Sequence, residues 1–326
     1  MERPFQLVSR ISKIEGDYAL DVTTPSVQNA SIIGLPMASG TIHLHDISTL
    51  QQMGTLPSLY PETIISQCLF DSENPSLLWS SNKNGSVILY DIRTSNAVHQ
   101  FESNNPIISF DTNSNHHLLA AGTELAPGQE NPFIFFWDIR SSMNPLNKFE
   151  ECHSDDITQI KFHPNNPNLM ISGSTDTLVN LYNLETFEED DALYQVIKGD
   201  SVNQVGFFGP NFEYIYYLTH LETVSLWKFE EAEKICSFGD VRASTSEATL
   251  DYCIGCSYNT AAQRLFLTAG SREGSLSIFD VGLNGLELAY TLNGGHGDII
   301  RGVYWDIQNG ILISAAEDGS VSTWSQ

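Results

Sequence analysis

Apolar residues along this chain fall into short runs that alternate or cluster, and turn residues punctuate them. Near the C-terminal end, residues 299–305 and 311–315 form two such runs separated by Gln308-Asn309-Gly310, and Asp318-Gly319-Ser320 leads into a third run ending at Trp324. Asn-Gly and Asp-Gly accept the positive φ that tight hairpins require, so the pattern predicts antiparallel strands. The pattern recurs. Seven stretches alternate and end on a ring: TIHLHD at 41–46, SVILYD at 86–91, FIFFWD at 133–138, LVNLYN at 178–183, TVSLWK at 223–228, SLSIFD at 275–280 and SVSTWS at 320–325. Their rings are His45, Tyr90, Trp137, Tyr182, Trp227, Phe279 and Trp324, at successive intervals of 45, 47, 45, 45, 52 and 45 residues. A period near 45 is the length of a four-stranded propeller blade.

In the fourth unit the strands are expected at 157–163, 169–174, 178–183 and 193–198, labelled a to d from the central channel outward. The expected fold is all-β, one seven-bladed propeller over residues 1–326. A ring of blades must close on itself or leave two sheet edges open. The last copy ends after its third strand, so the segment 5–14 (FQLVSRISKI) is expected to supply the missing outer strand and join the first blade to the last. The first blade is degenerate, with His45 at the ring position and Pro36-Met37 near the end of its second strand.

Three long excursions interrupt the period: 123–132 (TELAPGQENP) between strands b and c of the third blade, the acidic run 185–191 (ETFEEDD) between c and d of the fourth, and 239–248 entering the sixth. The first and third belong to one face, the top rim, and the acidic run to the other. Long loops on a rigid scaffold are where binding is found, or they are tolerated surface insertions.

An Asp follows the ring at Asp46, Asp91, Asp138 and Asp280, the dipeptide position that names a family. On these copies the chain resembles WD-repeat proteins over its whole length, and among them it is similar to the WD repeat-containing protein 89 family. The resemblance implies a structural tetrad, with a loop imidazole bonding a Ser and a turn Asp, and the Ser reaching the ring of strand c. His153, Ser172, Asp176 and Tyr182 have that spacing, as do His296, Ser314, Asp318 and Trp324. Tyr182 replaces the indole donor by a phenol. The other blades lack members, with Asn84 and Asn131 at the turn position and Ser39, Leu221 and Glu273 elsewhere, and are expected to be less stable.

Tyr90-Asp91-Ile92-Arg93 and Trp137-Asp138-Ile139-Arg140 resemble the boxes by which WD-repeat substrate receptors dock on the adaptor of cullin-4 ubiquitin ligases. That resemblance would make Arg93 and Arg140 adaptor contacts oriented by Asp91 and Asp138. A guanidinium offers five directional donors, which suits the role. Asn84 in place of an upstream Asp and the insertion before Pro132 depart from the pattern, and Asp-x-Arg also serves propellers as a turn pair.

Charge narrows the partners. Forty Asp and Glu against fifteen Lys and Arg give a formal net charge of −25, which argues against direct nucleic-acid binding. A basic protein client, such as a histone or ribosomal protein, fits electrostatically; solubility alone would also account for the acidity. No run has signal-peptide or membrane-span character, so a cytosolic or nuclear protein is expected and no membrane partner. The sequons at Asn29 and Asn84 then carry little weight, and the five cysteines are expected as reduced thiols.

Little in the sequence points to chemistry. A Ser, a His and an Asp recur, but no Gly-x-Ser-x-Gly turn exists to expose a nucleophile. Cys253-Ile-Gly-Cys256 falls in a predicted strand, where residues three apart point to opposite faces, so core cysteines are expected rather than a metal site. His116-His117 reads as a solvated loop, and Gly294-Gly-His-Gly297 as a blade-entry turn without a phosphate loop's lysine. No catalytic residue, metal or cofactor is expected. The sequence points to a monomeric propeller working within a complex: a ligase receptor, an acidic escort or, against these signs, an enzyme.

Overall fold

A computed structural model describes residues 4–25, 30–60, 63–140, 144–244 and 248–326; Asn29 of the first sequon, residues 1–3 ahead of the N-terminal strand and residues 245–247 of the loop entering the sixth blade lie outside them. Among the described residues the strands form seven sheets, six of four strands and one, in the first blade, of three. Every ring position of the sequence period sits on a strand c, from His45 on Ile42–Asp46 to Trp324 on Val321–Ser325. The fourth blade is Ile157–His163, Asn166–Ser174, Leu178–Asn183 and Leu193–Lys198. The fold is an all-β seven-bladed propeller.

The ring closes through the N-terminal strand, as its sequence implies. Gln6–Ile11 pairs antiparallel with Val321–Ser325, from Gln6 opposite Ser325 to Ile11 opposite Val321, with a bulge between Leu7 and Ser9. The edge of the last blade is thereby covered. Arg10 also reaches Asp318 at 3.8 Å, and the Ile14 N–H donates to the Gly319 carbonyl at 2.8 Å. In the first blade the innermost position is held by a segment that bonds through isolated bridges, Ala19 to Met37 and Thr23 to Gly34, and not by a regular strand. The seventh blade's inner strand approaches that segment so closely that a Cβ on Gly302 would meet the backbone of Asp21 and Val22.

Strand a is bulged at the same place in six blades: between Ile65 and Gln67, Ile107 and Ser109, Ile157 and Gln159, Val202 and Gln204, Cys253 and Gly255, and Ile300 and Gly302. A bulge adds a residue and shifts the alternation. Apolar residues three apart, such as Ile157 and Ile160 or Val202 and Val205, therefore enter the same inter-blade core. Those cores carry the stability, since burying an apolar side chain is worth roughly 1.5–3 kcal/mol. Between blades three and four, Phe136, Phe149, Ile157, Ile160 and Tyr182 are fully buried together.

Polar side chains on the same strands hand each blade to the next. Gln67 Oε1 accepts from the Phe110 N–H (2.8 Å), Asp111 Oδ2 from the Phe162 N–H (2.8 Å) and Gln159 Oε1 from the Val205 N–H (3.1 Å). Gln204 Nε2 donates to the Ile254 carbonyl (2.9 Å), and the Tyr252 hydroxyl accepts from the Ile300 N–H (2.6 Å). These bonds link blades two to seven in sequence and fix the frame on which the loops sit.

Candidate interaction surfaces

The two tetrads assemble, with different wiring. In the fourth blade His153 Nδ1 lies 2.9 Å from Asp176 Oδ2 and Nε2 lies 2.7 Å from Ser172 Oγ. Ser172 then donates to the Tyr182 hydroxyl over 3.4 Å, and Asn180 Nδ2 donates to that hydroxyl at 3.2 Å, so the phenol gains a second partner where its link to Ser is long. Burial works to raise the Asp176 carboxyl, but the hydrogen bond and charge of His153 outweigh it and hold the group below the usual range. In the seventh blade the imidazole does not touch the turn Asp. His296 Nε2 meets Ser314 Oγ and Nδ1 meets Ser320 Oγ, both at 2.6 Å, and Ser320 passes the link on to Asp318. Trp324 Nε1 donates to Ser314 Oγ at 2.9 Å, and Asp318 Oδ2 accepts from the Gly297 N–H at 2.8 Å. Gly295 precedes His296 because the Trp324 ring occupies the space a Cβ would need.

Burial lowers His296 to about 4, so it is neutral at pH 7. Its hydroxyl partners are themselves buried. A nucleophile needs exposure, and this geometry braces loops instead.

Where the tetrad is incomplete, residues at the end of strand b brace the b–c turn. Asn82 Oδ1 accepts from the Asn84 and Ser86 N–H groups, Thr123 Oγ1 from Phe133, Thr219 Oγ1 from Leu221 and Thr223, and Ser271 Oγ from Ser275. All four side chains are buried. Among the described residues the indole N–H groups of Trp137 and Trp227 find no acceptor, and an unsatisfied buried donor costs about 1–3 kcal/mol.

Each Arg of the two Asp-x-Arg boxes folds back on its own Asp. Arg93 gives Nε to Asp91 Oδ1 (3.0 Å) and NH2 to Oδ2 (2.6 Å); Arg140 does the same with Asp138, both at 2.9 Å. The guanidinium bond holds Asp91 down at about 2. Asp240-Val-Arg242, in the loop entering the sixth blade, repeats the fork at 2.8 and 2.9 Å, so it is a general turn device of this chain. Arg93 and Arg140 remain 68% and 56% exposed at the ends of strands c in adjacent blades.

The long loops are anchored. Leu125 donates its N–H to Asp156 Oδ1, tying the 123–132 insertion to the next blade. In the acidic run, Phe187 packs edge-on to Phe136 in the cleft between blades three and four, and Glu189 accepts from the N–H groups of Glu150 and Glu151, both at 2.7 Å. Glu185, Glu188, Asp190 and Asp191 stay exposed. Few cations balance such groups, because among the described residues nine Lys and Arg side chains are already held in ion pairs. The channel contains a cavity of about 310 Å³ lined by Asp21, Gln67, Gln204, Thr268 and Arg301, among others. Burial raises Asp21 to about 6 there.

The remaining motifs stay structural. Because of the strand-a bulge, Cys253 and Cys256 face the same core, where opposite faces were expected from simple alternation. They fill the positions that Ile157 and Ile160 fill in the fourth blade, and burial holds both thiols protonated. Of the two loop histidines, His117 is exposed as expected, whereas His116 is only partly exposed: with φ at 54°, its Nε2 meets Ser72 Oγ at 3.0 Å and links blade three to blade two. Among the described residues no group of three or more His, Cys, Asp or Glu side chains is arranged to hold a metal, and no helix is long and apolar enough to cross a membrane.

Seven blades, ring-bearing third strands and two hydrogen-bonded tetrads define a WD-repeat β-propeller. The family "WD domain, G-beta repeat" matches residues 143–183 and 286–325, the two tetrad-bearing copies. The chain is 30% identical over 258 residues to the WD repeat-containing protein 89 homolog of Dictyostelium discoideum, covering 78% of this chain and 69% of that one. It is 33% identical over 316 residues to an uncharacterized WD repeat-containing protein of Saccharomyces cerevisiae, covering 92% and 77%. A propeller in the crystal structure of the mitotic checkpoint complex superposes with a TM-score of 0.77 at 13% identity, over all of this chain and 94% of the other, which is a likeness of fold. The chain belongs to the WD-repeat family, and within it to that of WD repeat-containing protein 89.

Proposed function

We propose that this propeller is a non-enzymatic platform that receives a basic protein partner on its acidic surface and escorts it. The observation that carries the reading is the excess of acidic charge: the sequence has forty Asp and Glu against fifteen Lys and Arg, and among the described residues nine of those cations are already committed to ion pairs within the fold. Uncompensated carboxylates on a rigid frame attract a cationic protein and speed its encounter. The tetrads support the frame, and the anchored loops give the partner a preformed surface. Affinity purification followed by mass spectrometry at about 50 and 200 mM salt tests this, because exposed charges are screened beyond about a Debye length, ~10 Å at 0.1 M. A basic partner that is lost at the higher salt is expected; a main partner that is acidic, or that salt leaves in place, contradicts it.

A second reading keeps the adaptor surface. Arg93 and Arg140 are exposed and held rigid by their forks, which supports docking on a cullin-4 adaptor through them. Asp240 and Arg242 make the same fork outside any such box, so the fork by itself does not favour this role. Replacing both box arginines by Ala separates the readings: adaptor co-purification is abolished if they dock, and partner capture is unchanged under the escort reading.

A further inference from the structure

The acidic run and the neighbouring blade form a cleft that the escort reading leaves unassigned. It lies between blades four and five, has a volume of about 410 Å³, and is walled by Leu169, Tyr194 and Phe229 beneath a rim of Glu185, Asp191 and Glu230. Each wall has a structural cause. Leu169 comes from Asn166–Ser174, Tyr194 from the outer strand Leu193–Lys198, and Phe229 and Glu230 directly follow Thr223–Lys228 of the fifth blade. Phe229 is buried, and Tyr194 meets it edge-on with ring centroids 6.0 Å apart while staying 38% exposed. The c–d loop of the fourth blade is pinned at Phe187 and Glu189, and this sets Glu185 and Asp191 at the rim.

The rim carboxylates have no cation of their own. Among the described residues none of the three has a Lys or Arg in an ion pair, and Lys228, next to Phe229, is committed to Glu233 at 2.6 Å. Elsewhere in this chain the carboxylates of Asp91, Asp138 and Asp240 are each met by an arginine. Burial, with Glu230 nearby, raises the Tyr194 phenol, so the ring stays neutral and keeps its full quadrupole.

We infer that this cleft binds a long cationic side chain, that of an arginine, presented by a basic segment of a protein partner. The apolar floor suits the arginine's methylene stem, the Tyr194 ring its guanidinium face, and the three carboxylates its donors. A simple anion is repelled by the rim, and a purely apolar side chain would leave three carboxylates partly desolvated without a partner. The proposal rests on the escort reading and names one point at which the basic partner is held.

The test measures fluorescence anisotropy of a labelled hexa-arginine peptide with the full chain at low salt. Three variants are compared: Tyr194→Ala, the triple change Glu185→Gln/Asp191→Asn/Glu230→Gln, and a charge-matched control, Glu130→Gln/Asp298→Asn/Glu287→Gln, which removes three exposed carboxylates elsewhere. The cleft predicts a loss of about tenfold or more for the first two and less than threefold for the control. Tyr194→Phe, which keeps the ring, retains binding and guards against misfolding of the Ala variant; a citrulline-substituted peptide, which lacks the charge, does not bind. Equal losses for the rim triple and the control overturn the cleft while leaving the escort reading intact. Failure of the peptide to bind the wild-type chain overturns both.

Discussion

His296→Ala separates a fastening from a chemical site. In the folded chain the imidazole is buried and bonds Ser314 and Ser320, each at 2.6 Å. Its loss removes two hydrogen bonds worth about 0.5–1.5 kcal/mol each, and leaves a cavity beneath a braced loop. A destabilisation of about 2–4 kcal/mol follows. At roughly 2.1 cal/mol/K of unfolding entropy per residue, a chain of this length loses about 3–6 °C in Tm. The assay is urea or thermal unfolding followed by Trp fluorescence, since Trp324 lies in the same network. The pH profile gives an independent check. His296 sits at about 4 in the folded chain against an ordinary 6.5, so the unfolded chain binds its proton first. The stability it contributes is complete above about pH 6.5 and falls by up to about 3 kcal/mol as pH drops to 4. His43, His45 and His163 are lowered by burial too and add in the same direction. His296→Ala flattens its share of that slope. An unchanged denaturation midpoint and an unchanged pH profile would refute the bracing role.

Other expected outcomes are as direct. Removing residues 1–14 uncovers Val321–Ser325 and takes away Arg10, so the shortened chain melts several degrees lower; melting at the same temperature contradicts closure of the ring by that segment. Asp21→Asn stabilises the chain by about 1–2 kcal/mol above pH 6 and not below pH 4, because the folded carboxyl, at about 6, costs free energy once ionised; the channel's access to water limits the size. Denaturation midpoints at pH 4 and 8 measure it. Arg93→Ala with Arg140→Ala leaves Tm within about 1 °C, since both forks are exposed and local; a large drop would give them a structural role that their geometry does not.

The fold was legible because a blade is a local unit with a fixed period, and the ring residue marks strand c in every copy. Closure was legible too, since a three-stranded last copy and a spare apolar segment at the other end complement each other. Other features depend on partners distant in sequence. The strand-a bulge reverses simple alternation, which hid that Cys253 and Cys256 share one core; Ile157 and Ile160 in the fourth blade carry the same signal. The glutamines that link neighbouring blades had a readable trace, an apolar-x-Gln-apolar pattern at Ile65, Ile157 and Val202, yet their role emerges only when the next blade supplies a backbone N–H to Gln67 and Gln159 or a carbonyl to Gln204. Ser320 as relay to Asp318 depends on a hydroxyl rotamer within a turn, which spacing does not specify. Tyr194 and Phe229 are thirty-five residues apart and meet only across two blades.

The central claim is that an acidic, rigid propeller holds a basic protein. Its most direct measurement is the affinity of the captured partner, purified, as a function of salt. Charge-dominated binding predicts a Kd that weakens about tenfold or more between 50 and 200 mM salt, and further when Glu185, Asp191 and Glu230 are neutralised. A Kd that is the same at both salt concentrations, or a partner without a basic surface, would contradict it.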